Sequence, residues 1–366
     1  MAWSKSKFRR APQFESLESR QVLSSGGPPT AAAQDMLYWI NLARTNPSAA
    51  AQRIAADVTP DIQATIQHYG VNLSATEQAI ASATPQPPLA WSDQLAQAAQ
   101  GHSQDMATNQ FQSHTGSDGS TAAQRIQQAG YTNASSTGEN AYAYASSVDQ
   151  AMEAFLIDWG VPSDGHRNNL LQPGVSAQDA YRDVGIGLAQ TSGGSSVGPL
   201  VVTQDFGAQP NEQAQLVGVA FNNTRGDGFY EQGEGVANVQ IDAVNLTTGQ
   251  VSSTQTGPFG GYQMALAPGS YQIIASQNNQ VIKTVNVTVG NVNIEQDFIT
   301  SNPWQGGSRT AALAAAQPVV NAPAPTPVAT PLVLIAPQPV QALSSPPAIG
   351  AITWNWTSWQ ASQSNG

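Results

Sequence analysis

The feature that most limits what this chain can become is a change of rhythm near residue 210. Before it, apolar residues recur at helical spacing; after it, they come in short runs between turns. Met36, Leu37, Ile40 and Ala43 mark one helix, ended at Asn46-Pro47. Ile62, Ile66 and Tyr69 mark another, closed by Gly70, and Ser74-Ala75-Thr76-Glu77 reads as a capping box opening a third. Ser92 caps a longer helix with Leu95, Ala98, Ala99, His102 and Met106 on one face. Residues 121–129 read as helix stopping at Gly130, and Ser147 opens one with Val148, Met152, Phe155 and Leu156 inward. Val184, Ile186 and Leu188 then alternate as in a strand, and 199–206 is a second strand run. Helices around a few late strands predict an α+β domain with helices packed on a sheet.

From 213 to 300 the helical pattern stops. Seven β-prone runs follow, at 216–222, 239–245, 251–256, 261–266, 270–277, 281–289 and 293–299, with turn signals such as Thr248-Gly249 and Pro268-Gly269 between them. This is the pattern of a small all-β sandwich. From Ser301 the chain is rich in Ala, Pro and Val and carries one charge, Arg309. Such a composition predicts an extended, disordered tail with little core. Trp354, Trp356 and Trp359 near its end read equally as docking on a domain, as binding a partner, or as exposed. The expected division is an N-terminal segment 1–30, an α+β domain 31–209, a β-sandwich 213–300 and a tail 301–366.

Charge separates the N-terminus from the rest. Lys5, Lys7, Arg9, Arg10 and Arg20 lie in the first 20 residues, beside Glu15 and Glu18. Removing those from the chain's 13 basic and 24 acidic residues leaves 8 against 22. An acidic body of this kind does not bind nucleic acid by charge. The chain has no cysteine, which excludes disulfides and thiolate metal sites. No run of about 18 apolar residues exists, so no membrane span is expected. The N-terminus has the basic residues of a secretory signal without its apolar centre. Phe14-Glu15-Ser16-Leu17-Glu18-Ser19-Arg20-Gln21-Val22-Leu23-Ser24 resembles the LEPR-x-LL motif of exported bacterial proteins, with Ser19 in place of the proline. The alternative is a disordered basic tail.

The candidate chemistry lies in two short stretches. One is Phe111-Gln112-Ser113-His114-Thr115-Gly116, followed by Gly138-Glu139-Asn140; the other is Asp158, then Gly165-His166-Arg167-Asn168-Asn169-Leu170-Leu171. Two imidazoles and two carboxylates can hold a divalent metal or pass a proton if the fold brings them together. They can equally form a buried hydrogen-bond cluster. His102, on an apolar helix face, reads as a satisfied core histidine. Arg167 reads as a clamp on a carboxylate or a C-terminal carbonyl.

Residues 34–207 resemble the CAP superfamily (cysteine-rich secretory proteins, antigen 5, pathogenesis-related 1) in its cysteine-free bacterial form. The matching pieces, in order, are Met36 to Arg44, Leu89-Ala90-Trp91, Leu95 to Ala107, Phe111 to Gly119, Gly138-Glu139-Asn140, Gly165 to Leu171, Asp183-Val184-Gly185-Ile186-Gly187 and Val202-Thr203-Gln204-Asp205-Phe206. The resemblance implies an α-β-α sandwich and a cleft tetrad of two histidines and two acids. By motif these are His114, Glu139, His166 and Asp158, the last with Asp for the family's Glu, three positions after Phe155. The segment 47–88, longer than in the simplest members, covers the cleft or sits elsewhere. Residues 216–300 resemble Cna protein B-type modules of bacterial surface proteins. These often carry an acidic calcium loop, matched here by Asn223, Asp227, Gly228, Glu231 and Glu234; Arg225 puts a cation where an oxygen ligand belongs.

Three functions follow as expectations. The first is a secreted or cell-surface binding module for a peptide, glycan, lipid-like ligand or cell-envelope component. It draws support from the lack of H-E-x-x-H or a catalytic cysteine. The second is a metal-assisted hydrolase with zinc on the tetrad and Glu139 as base on a bound water. The third is an architectural matrix protein. The cofactors expected are zinc at the tetrad and calcium at the sandwich loop, with no organic cofactor.

Overall fold

Thr30 starts the first helix by accepting a hydrogen bond from the N–H of Ala33 at 3.2 Å. The structure, a computed structural model, describes residues 28–301 and 306–318. The export-type motif and Trp354, Trp356 and Trp359 lie outside the described residues. Helix α1 (Ala31–Thr45) ends at Asn46, whose side chain caps α2 (Pro47–Asp57). Helix α3 (Pro60–Tyr69) closes on Gly70 in the left-handed region. Helix α4 (Leu73–Ala81) is capped by Asn72 rather than by the expected Ser74 box, because the Asn72 carboxamide accepts from the Ala75 N–H. Strand β1 (Ala90–Trp91) leads into α5 (Asp93–Asn109) on its Ser92 cap. There follow α6 (Ala122–Gln128), β2 (Ser136–Ala145), α7 (Val148–Ile157), α8 (Gly165–Leu171), β3 (Asp183–Gln190) and β4 (Leu200–Ala208).

The sheet order is β1-β3-β4-β2, with β1 parallel to β3 and the other pairs antiparallel. Helix α5 covers one face; α1, α7 and α8 cover the other. The three layers form an α-β-α sandwich. On the α5 side the contact is made by backbone. A Cβ on Gly185 would lie 1.9 Å from the Ala96 nitrogen, and one on Gly187 would lie 2.2 Å from the Ala99 carbonyl carbon. Only glycine lets the helix lie that close to the strand. On the other face Trp39, Ile40, Phe155, Leu156, Leu170 and Phe206 share an apolar core. The long segment 47–88 places α2 against α1 and α4 against α7.

The β-rich region follows the expected runs closely. Its strands are β5 (Gln215–Phe221), β6 (Gln240–Asn245), β7 (Val251–Gln255), β8 (Gly261–Ala265), β9 (Gly269–Gln277), β10 (Gln280–Val289), β11 (Ile294–Glu295) and β12 (Phe298–Ile299). One sheet is ordered β10-β9-β6-β7; the other is β11-β5-β12, with β8 also on β5. The seventh run thus splits into two short pieces, both parallel to β5.

Part of the segment expected as an extended tail is a helix, α9 (Arg309–Ala316). Its alanine-rich sequence favours helix, and its one charge fixes its position. Arg309 donates to both oxygens of the buried Asp242, at 2.6 and 2.7 Å. Leu313 and Ala316 then pack with Val244, Ile274 and Val281.

The α+β and β-rich parts are closely packed together within one compact unit that ends at Pro318. Val219, Phe221 and Tyr230 belong to the same apolar cluster as Tyr38 and Trp39. The Arg182 guanidinium donates to the Asn291 carbonyl and to Asn293 Oδ1, and Asn293 Nδ2 donates to the Pro88 carbonyl. Arg53 stacks 3.9 Å from the Trp39 ring and donates to the Tyr230 carbonyl.

Candidate functional site

Four of the expected side chains lie around strand β2. Glu139 sits on β2, buried to 7% exposure and directly opposite Asp205 of β4. Gly138 beside it leaves room for Tyr181, whose hydroxyl would lie 2.3 Å from a Cβ there. The loop after α5 brings His114 over the strand, with its Nδ1 2.8 Å from Glu139 Oε1. Arg125, from α6, donates to Glu139 Oε2 at 2.5 Å and to the His114 carbonyl at 3.1 Å. Both carboxylate oxygens of Glu139 are therefore engaged.

The second pair is made at a sharp corner. Helix α7 ends with Asp158 in the left-handed region, φ 61°, a conformation Asp tolerates better than most residues. This turns its carboxylate to the start of α8. Oδ1 meets His166 Nδ1 at 2.7 Å, and Oδ2 accepts from the Arg167 N–H at 3.1 Å. The Arg167 side chain donates to the carbonyls of Leu156 and Ile157 and pairs with Asp164. It is the clamp on a helix C-terminus expected from sequence. Phe155 lies under His166, with ring centroids 5.2 Å apart.

Two asparagines tie the pairs together. Asn169 donates to the Glu139 carbonyl and to Asn140 Oδ1, and Asn140 donates to the His166 carbonyl and to Gln204 Oε1. The four residues thus form two histidine–carboxylate pairs joined through backbone and amides, rather than one four-ligand cluster. Among the described residues, no three His, Cys, Asp or Glu come together where a metal ion could sit. The donor set explains this, because Arg125 occupies the face of Glu139 that a metal ligand would need. The residues present do not fit the expected zinc tetrad.

Beneath Glu139 lie Asp205, which sequence reasoning left without a role, and His102, expected as a satisfied core histidine. Asp205 is fully buried, and neither of its oxygens has a donor. Burial, and then the charge of Glu139, hold its carboxyl well above the usual range. An uncharged acid facing a carboxylate can donate its proton to it. His102 is fully buried as expected, with Nε2 2.8 Å from the Ser113 carbonyl. Its Nδ1 has no partner, and burial lowers its imidazole below the ordinary range, against the pull of Glu139. Arg125 had no signal in the sequence beyond its place in a short helix. Asn140, Asn169 and Asp205 all stood inside recognised motifs.

The loop expected to hold calcium is hydrogen-bonded within itself. Asn223 accepts from the N–H groups of Gly226 and Gly228, and Asp227 from that of Phe229. Arg225 pairs with Glu231, and Glu234 accepts from Thr224. Each of the four candidate ligands, Asn223, Asp227, Glu231 and Glu234, engages one oxygen inside the loop, Glu234 Oε2 is buried without a partner, and among the described residues no three acids come together there.

Residues 37–206 match the sequence model of the cysteine-rich secretory protein family, CAP. They form a CAP domain. Among solved structures, an extracellular protein containing an SCP domain from Bacillus anthracis str. Ames is 28% identical, over 42% of this chain and 44% of its own, with a TM-score of 0.27. An outer surface protein of Borrelia burgdorferi is 20% identical, over 33% of this chain and 77% of its own, with a TM-score of 0.26. The chain therefore spans less than half the length of the first of these. No curated protein matches. Among the described residues, no helix is long and apolar enough to cross a membrane. The CAP domain carries both histidine–carboxylate pairs.

Proposed function

We propose that this is an exported or cell-surface CAP-domain protein that binds an extracellular ligand through the exposed side of its histidine–carboxylate pairs. The observation that carries the reading is the double engagement of Glu139, by His114 at 2.8 Å and by Arg125 at 2.5 Å. A general base needs a free lone pair aimed at the proton it takes, and Glu139 has given both oxygens to cations or N–H donors. Each imidazole turns Nδ1 inward to its carboxylate, which leaves Nε2 for a ligand. His114 is the outer one, its side chain 63% exposed; that of His166 is 16% exposed. Ser113, Thr115 and Asn168 flank them, so the face is rich in hydrogen-bonding groups and suits a peptide or glycan better than a lipid tail. On this reading the β-rich region, with its resemblance to Cna protein B-type modules, holds the CAP domain at a surface.

The test pairs binding with turnover. The full-length protein is presented with cell-wall glycans, peptides and lipid vesicles, and separately with peptide and ester substrates in the presence of zinc. Binding of a glycan or peptide that drops about tenfold in His114→Ala, with no turnover, supports the proposal. Zinc-dependent cleavage abolished by Glu139→Gln would overturn it in favour of the hydrolase. Absence of binding to every class, together with absence of turnover, would leave an architectural role.

A further inference from the structure

A second site lies away from the histidines, where α1 and β1 meet β5 and β8. A cavity of about 320 Å³ opens there, at the lower end of the size range of small-molecule pockets. Its walls carry four aromatic rings, those of Tyr38, Trp91, Phe259 and Tyr262, and two carboxylates, Glu295 and Asp297. A third acid, Asp93, also lines it, and no Lys, Arg or His does. Glu295 accepts from the Thr45 hydroxyl at 2.8 Å, and Asp297 from the Val219 N–H at 2.8 Å. Among the described residues neither carboxylate has an ion pair with a basic group.

Two neighbouring carboxylates without a cation are costly in a fold. Burial raises both carboxyls above their ordinary range, and the charge of Asp297 raises Glu295 further. Rings with electron-rich faces beside such acids complement one kind of ligand, a positive charge on an apolar stem. The rings attract the cation through their quadrupoles and cover its hydrocarbon, and the carboxylates supply the counter-charge. We propose that this cavity binds an organic ammonium, a primary amine on an alkyl chain, carried by a small amine or by a lysine side chain. The site is independent of the histidine pairs and does not rest on the function proposed for them.

The experiment is a calorimetric titration of the full-length protein with pentylamine, with 1-pentanol as the uncharged isostere and Nα-acetyl-lysine methylamide as the lysine mimic. Saturable one-to-one binding of pentylamine is expected, with pentanol at least about tenfold weaker. Glu295→Gln and Asp297→Asn should each weaken amine binding about tenfold or more. Phe259→Ala, at a partly exposed ring, should weaken it too, and keeps the test open if an acid variant fails to fold. Tighter binding of the lysine mimic than of pentylamine assigns the site to a peptide lysine; the reverse assigns it to a free amine. No saturable binding of either amine, equal binding of pentanol, or unchanged binding in all three variants overturns the proposal.

Discussion

At the residue scale the candidate site is governed by what Glu139 is allowed to do. Arg125 and His114 hold its two oxygens from opposite sides, and Asp205 faces it across the sheet. Removing the guanidinium in Arg125→Ala leaves one buried oxygen without its donor. Stability should fall by about 2 kcal/mol, read as a lower melting temperature. Asp205 makes a prediction with a sign. Its folded pKa lies above the ordinary value, which is about 3.9 in an unfolded chain. Above about pH 4 only the unfolded state ionises at this residue, so the wild type loses stability as pH rises. Asp205→Asn keeps a donor beside Glu139 without that loss. The variant should match the wild type near pH 4 and melt progressively higher than it toward pH 7. A gap that stays constant with pH would mean that Asp205 is charged in the fold.

At the element scale, glycine spacing on one strand decides how the CAP domain closes. Gly187→Ala pushes a methyl group into the Ala99 peptide of α5, where a Cβ has 2.2 Å of room. The helix must move, and overpacking of this kind costs about 3 kcal/mol. A melting curve of the variant checks it; an unchanged midpoint would mean that α5 is not seated on β3 as described. Much of this level was legible. Ser92 and Ser147 cap the helices they were expected to cap, and the alternation at Val184, Ile186 and Leu188 marks β3. Strand β2 was harder to read. Its sequence, Ser136 to Ala145, is built of small and polar residues, because it packs beside Tyr181 and carries Glu139 and Asn140 rather than a plain apolar stripe. The four candidate side chains were legible as residue types at motif positions. Their pairing was not, because Arg125 reaches Glu139 from a different helix. Helix α9 was hidden for a similar reason: nothing local to Arg309 points to Asp242, 67 residues earlier.

At the scale of the whole molecule, the change of rhythm near residue 210 does not mark a gap in the core. Phe221 and Tyr230 lie among the apolar residues of α1, and Arg182 and Asn293 cross-link the two parts. The described residues should therefore unfold together. Scanning calorimetry of the full-length protein should give one cooperative transition, and a fragment ending at residue 209 should melt lower than the intact chain. Two well-separated transitions would show that the α+β and β-rich parts are independent. The junction could not be read in advance, since the runs that form it look alike whether they face a partner domain or water.

The paired arrangement fixes how the three histidines at the site carry their protons. Nitrogen-15 correlation spectra of the imidazoles at pH 8.5, where ordinary histidines are neutral, report this directly. His114 and His166 should carry the proton on Nδ1, each giving it to its carboxylate, and His102 should carry it on Nε2, giving it to the Ser113 carbonyl. Adding zinc should leave all three unchanged. Protonation of His114 or His166 on Nε2, or a zinc-induced shift of both rings together, would contradict the paired arrangement and restore the metal centre.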